Sequence, residues 1–126
     1  MARDAVEITA LGMDAFTDAP AGTAINATNG AIINAAGNTD NLLLEITHTG
    51  AAAKDITIVA PVGNDAAVRS PLGSLVVQFG DGSETPVVKH VVLESARFAQ
   101  ADGSIHIDFE ASAAGTVRAF RLPRGA

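Results

Sequence analysis

At 126 residues the chain has the length of one domain and can bury roughly two thirds of the surface that its unfolded form exposes. Its formal charge of −6, from eight Lys and Arg against fourteen Asp and Glu, leaves no basic patch to follow a phosphate backbone. Five Phe with no Trp, Tyr or Cys exclude disulfide frameworks and thiolate metal sites, and they count against sugar-binding shelves and base-stacking platforms.

In chain order, the first residues carry no apolar run of signal-peptide length and no segment approaches a membrane span, so folding in a cytoplasm is expected. Residues 6–11 alternate Val6, Ile8 and Ala10 with Glu7, Thr9 and Leu11, the period of a half-buried strand. Residues 12–22 are irregular, so residues 1–20 read as a partly extended N-terminal arm. Phe16 within it is expected to plug the core, an exposed anchor for a partner being the other reading.

Asn29-Gly30 has the composition of a type I′ turn and predicts a short hairpin between residues 23–26 and 31–34. Residues 42–49 place Leu42, Leu44, Ile46 and His48 on one face of a strand and Leu43, Glu45 and Thr47 on the other. A turn at 50–53 is expected to pair this strand with the next, at 55–60. A proline-bounded loop at 61–71 follows, then strands at 72–79 and 87–93 joined by a Gly-rich connection. Asp81, Ser83 and Glu84 in that connection lack the spacing of an EF-hand loop, so no metal is expected there.

The C-terminal region, residues 93–124, reads as three consecutive antiparallel strands turning at Asp102-Gly103 and at 111–115. In the simplest register Gln100 faces Ile105, Phe98 faces Ile107, and Asp108 lies between Arg97 and Arg118. Ala96, Phe98, Ile107, Phe109, Val117 and Ala119 then make a core face. The opposite face carries the structural cross-strand row Arg97, Asp108, Arg118, each pair contributing roughly 0.2–1 kcal/mol. Phe120 and Leu122 share that polar face, which predicts a covering loop or a partner subunit. About nine short strands without substantial helix predict an all-β fold, a single antiparallel β-sandwich domain over residues 1–126 or a small jelly-roll-like barrel.

No catalytic constellation accompanies these strands. His48, His90 and His106 lack the spacing of a metal pair, no Ser sits in a Gly-x-Ser-x-Gly elbow, and no glycine loop cradles phosphate. No catalytic residue, cofactor or metal is therefore expected, and the protein is read as not being an enzyme. A hydrolase whose triad assembles around one of the histidines from distant strands is one alternative. A receptor- or carbohydrate-binding module on a virion or cell surface is another.

Three stretches carry a resemblance. The run Glu94-Ser95-Ala96-Arg97-Phe98, then Gln100-Ala101-Asp102-Gly103-Ser104 and Ile107-Asp108-Phe109, closes with Ala119-Phe120-Arg121-Leu122-Pro123-Arg124. Together with residues 20–30, PAGTAINATNG, it resembles the small capsid decoration, or cement, proteins of tailed actinobacteriophages. Residues 87–92 depart from that pattern, being a full apolar strand where a shorter strand ending in a Gly-Pro turn is expected. The resemblance implies a structural virion protein, made in the host cytoplasm and located on the outer capsid surface. It would bridge neighbouring subunits of a major capsid protein with the HK97-like fold, as a homo-oligomer with a trimer favoured and with no nucleic-acid or membrane partner. The expected capsid or subunit contacts are Arg3, Asp4 and Phe16 in the arm and Phe120, Arg121, Leu122 and Arg124 at the C-terminal end. Ala2 to Asp4 would add to a neighbour's sheet edge.

Overall fold

The computed structural model describes residues 3–34, 42–60, 74–92, 98, 100 and 103–123. The regular elements among them are ten strands: β1 (Asp4–Ala5), β2 (Ile8–Ala10), β3 (Thr23–Ala24), β4 (Ala31–Ile33), β5 (Leu42–His48), β6 (Lys54–Ile58), β7 (Leu75–Phe79), β8 (Val87–Val92), β9 (Ile105–Phe109) and β10 (Gly115–Arg121). One sheet runs β1-β4-β9-β6-β7. The other runs β2-β10-β5-β8, with β3 also pairing with β10. Since β5 pairs with β10 along its whole length, β2 and β3 share the opposite edge of β10. The all-β expectation holds, and the form is a sandwich of two open sheets rather than a closed barrel.

Alternation explains why these segments are strands. In β5, Leu42, Leu44, Ile46 and His48 are buried while Leu43, Glu45 and Thr47 are not. In β9, Ile105, Ile107 and Phe109 point inward, as do Val117 and Ala119 in β10. The two inner faces meet in one core that also takes in Val6, Ala31, Ile33, Ile56, Ile58, Phe79 and Phe98. Burying one such aliphatic or aromatic side chain stabilises the fold by about 1.5–3 kcal/mol. This interface between sheets is therefore the main stabilising element.

The path between strands differs from the expected one. β6 and β7 are the only consecutive strands, among the described residues, that hydrogen-bond to each other. β9 lies between β4 and β6, whereas β10 belongs to the other sheet, so residues 105–109 and 115–121 are not neighbours in a meander. Ile107 aligns with Ala31 and Ile58 instead of Phe98 and Ala119. The expected row Arg97, Asp108, Arg118 does not form: Asp108 aligns with Thr57 and Arg118 with Glu45, in different sheets. Arg97 and Ala96 lie outside the described residues. The expected pairing of β5 with β6 is likewise replaced, β5 pairing with β8 and β10. The physical reason is common to all three cases. Alternation states which side of a strand faces the core, and a strand of either sheet meets that requirement.

The first predicted strand is divided in the same way. β1 adds parallel to β4 at one sheet edge, β2 adds parallel to β10 at the edge of the other sheet, and Val6-Glu7 cross between them with Val6 buried. Asp4 thus joins its own sheet as the edge strand beside β4, through the Asp4 N–H to Gly30 carbonyl bond of 3.0 Å, and Ala2 lies outside the described residues.

The turns also differ from their signatures. Asn29-Gly30 closes no hairpin, because β3 and β4 belong to different sheets. Instead the Asn26 carboxamide oxygen accepts from the N–H groups of Thr28 and Asn29, and the Asn26 carbonyl accepts from Gly30 at 2.9 Å. The Gln100 N–H donates to the Ser104 carbonyl at 2.8 Å, which sets Gln100 opposite Ser104 rather than Ile105. Gly30 has φ +72°, and a Cβ there would lie 2.8 Å from the Ile107 carbonyl oxygen and 2.6 Å from Nη1 of Arg3. Gly30→Ala is expected to destabilise the protein by roughly 1–3 kcal/mol in chemical denaturation, because strain and crowding coincide. Gly80→Ala, with its nearest neighbour atom at 4.0 Å, is expected to stay within about 0.5 kcal/mol of the parent.

Candidate functional site

The segment between β2 and β3 is held at both ends and apolar at its tip. At one end the Leu11 N–H donates to the Arg121 carbonyl at 2.9 Å. At the other, Arg118 on the outer face of β10 donates from Nε to the Pro20 carbonyl at 2.8 Å and from Nη2 to the Ala21 carbonyl at 3.3 Å. Gly22, with φ +88°, lets this backbone lie close against the Arg118 stem. Between these anchors residues 12–19 project outward, turning at Asp14 with φ +52°. Phe16 is fully in solvent at 109% relative exposure, and Met13 is 62% exposed. Phe16 is therefore not the core plug expected from composition. The loop is tied to the outer face of a sheet whose inner side is already filled by Val117 and Ala119.

The same arginine begins a charged row across the outer face. Register aligns Arg118, Glu45 and His90 on β10, β5 and β8. Nη1 of Arg118 donates to Oε1 of Glu45 at 2.8 Å, and Oε2 of Glu45 lies 3.0 Å from Nε2 of His90. A carboxylate between two nitrogen donors resembles the row predicted for Arg97, Asp108 and Arg118, with an imidazole in place of one guanidinium. Burial alone would raise the Glu45 carboxyl, but hydrogen bonds from His90 and Arg118, with the charges of the same groups, outweigh it and hold Glu45 below its usual 4.5. Asp81 is also lowered, first by the Ser83 amide and then by its hydroxyl. These contacts make Asp81, on an exposed turn, a local cap for Ser83.

The other residues singled out in the sequence have mostly internal partners. Nη1 of Arg3 binds Oδ1 of Asp108 at 2.6 Å and the Ile107 carbonyl at 2.9 Å. Asp4 accepts from Nδ2 of Asn29 at 3.1 Å. Both side chains thus fasten β1 to its own sheet while staying part-exposed. Phe120 is half-buried on the outer face in register with Leu43 and Thr9, and Arg121 and Leu122 are also half-buried. Arg124 lies outside the described residues. The sequence offered no signal for Glu45 and His90 as partners of Arg118, since that needs the β5–β8 and β5–β10 registers.

His48 is wholly buried, with Nδ1 3.1 Å from the Ala114 carbonyl and Nε2 3.1 Å from the Ala52 carbonyl. The ring thus lies between the turns at Ala52 and Ala114, out of reach of solvent. His90 is engaged with Glu45, and His106 lies 3.2 Å from the Ser104 hydroxyl in the other sheet. Among the described residues no three metal-ligating side chains converge.

At the flank opposite the arm, the edge strands β7 and β8 stand apart and leave an apolar cleft of about 150 Å³. Ile46, Ile58, Leu75, Val77, Phe79 and Val91 line it. Lys89 points inward at its mouth, with Nζ 5.7 Å from the centre of the Phe79 ring. Val76, Val88 and Val92 on these two strands are exposed on the outer faces. Among the described residues, the exposed large apolar side chains lie on the arm and on β7 and β8.

Comparison with family models, with curated proteins and with solved structures finds no match to this chain.

The Glu45 row gives a test of its contribution. A carboxyl lowered in the folded state stabilises fully above its unfolded value, and that stability is lost as pH falls through the folded value. The parent is therefore expected to lose stability as pH drops below 4.5. Glu45→Gln is expected to be less stable than the parent at neutral pH, and the difference should close on acidification in denaturant titrations at stepped pH.

Proposed function

We propose that this protein decorates the exterior of an icosahedral phage capsid and stabilises it by bridging neighbouring subunits of a major capsid protein with the HK97-like fold. It carries out no enzymatic step in this reading. The observation that carries the proposal is the presence of apolar side chains left in solvent at two opposite flanks of a sandwich. Met13 and Phe16 lie on one flank, and Val76, Val88 and Val92 on the other. A bridging protein needs two separated contact surfaces on a stiff body. The resemblance to decoration proteins supports the same reading. Its residues 20–30 and 119–122 supply the Pro20 and Ala21 carbonyls, the Gly22 bend and the Arg121 carbonyl that hold the arm in place.

Each copy needs only modest affinity for one subunit. Simultaneous contact with two subunits multiplies binding through effective concentration. Binding only the assembled shell stabilises that state by mass action. A homo-oligomer, with a trimer favoured, would multiply the effect again. Purified protein is expected to co-sediment with matured shells of the phage that encodes it and to raise their melting temperature. Shells that sediment without it and melt unchanged would overturn the reading.

A further inference from the structure

We propose that the arm and the cleft are two halves of one contact between copies of this chain: Phe16 of one copy enters the β7–β8 cleft of the next. This deepens the decoration reading by naming the contact that would build its oligomer. Size, charge and position carry it. An apolar cavity of about 150 Å³ takes a benzene ring, and the cleft has that volume with aliphatic and Phe79 walls. Phe16 is the one large aromatic side chain among the described residues that is wholly in solvent. Asp14 and Asp18 flank it, and residues 12–22 contain no basic side chain. The cleft mouth carries Lys89, exposed and held over Phe79. An acidic collar around an apolar knob thus meets the Lys89 ammonium at the mouth of an apolar hole.

Position makes the contact intermolecular. The arm leaves from β2, and β8 lies at the far edge of the same sheet, with β10 and β5 between. Those three strand spacings amount to roughly 14 Å. The arm is anchored at Leu11 and Pro20, and Phe16 points into solvent. Within one copy the knob therefore leaves its own hole unfilled. A head-to-tail contact of this kind closes into a ring when its rotation permits. Two fixed anchors also present the loop in place, which reduces the ordering cost of association.

The test uses the full chain in solution, without shells. Sedimentation velocity of the parent is expected to show a discrete oligomer. Phe16→Ala removes a side chain with no intramolecular burial, so folding is retained and the dissociation constant should rise roughly ten- to hundredfold. Lys89→Glu should weaken assembly in the same direction. The chain has no cysteine, so a mixture of Phe16→Cys and Leu75→Cys proteins should form a reducible cross-linked heterodimer under mild oxidation. A parent that remains monomeric at its solubility limit, or an oligomer unchanged by Phe16→Ala, overturns the inference. Cross-linking of Phe16→Cys only to itself also overturns it, since the contact would then be tip to tip. A monomer that binds shells through Phe16 overturns it while leaving the decoration reading intact. An oligomer built on Phe16 that ignores shells does the reverse.

Discussion

The contact between the two inner faces is the constraint on which the other features rest. Ile33, Leu42, Leu44, Ile105, Ile107 and Ala119 have no exposed surface at all, and they come from both sheets. Because the chain changes sheet repeatedly, most links between strands run over the rim of the sandwich. The two layers are therefore bound together covalently many times as well as by apolar burial. Local pieces of this fold have little stability alone, since neither sheet keeps its apolar face dry without the other.

Polar contacts are placed where the links cross. His48 joins the turns at Ala52 and Ala114, and Arg3 joins the start of the chain to β9. At Gly115, φ is +135° and an added Cβ would overlap the Thr47 carbonyl oxygen, so the approach of β10 to β5 requires glycine. Arg118 reaches Pro20, Ala21 and Glu45 with three different nitrogens. An exposed ion pair alone contributes little. Here the fork of the guanidinium also satisfies backbone carbonyls, so its main effect is to fix the geometry of the arm.

Much of the strand content was legible because a period of two survives in short strands. The faces of residues 42–48, 105–109 and 115–121 follow directly from their alternation. Strand neighbours were not legible. Asp102-Gly103 and Asn29-Gly30 carry hairpin signatures, yet Gly30 ends a turn between sheets and Gly103 is only the donor to Gln100 in a tighter loop. Phe16 was misplaced because an isolated aromatic in a loop gives no period, and only the anchors at Leu11 and Arg118 decide which way it points. The row Arg118, Glu45, His90 depends on two registers that no local pattern encodes.

The crossing at Val6-Glu7 makes the two long sides of the sandwich unequal. There a buried residue and a two-residue link bind the layers together, whereas at β7 and β8 the connection is the longer stretch between Phe79 and Val87, buried only at Gly82. The molecule is thus built like a book with its spine at the N-terminal strands. The shortest covalent link thus lies on one long side and the open apolar cleft on the other. A side chain lodged in the fore-edge would act as a clasp, touching both covers at once.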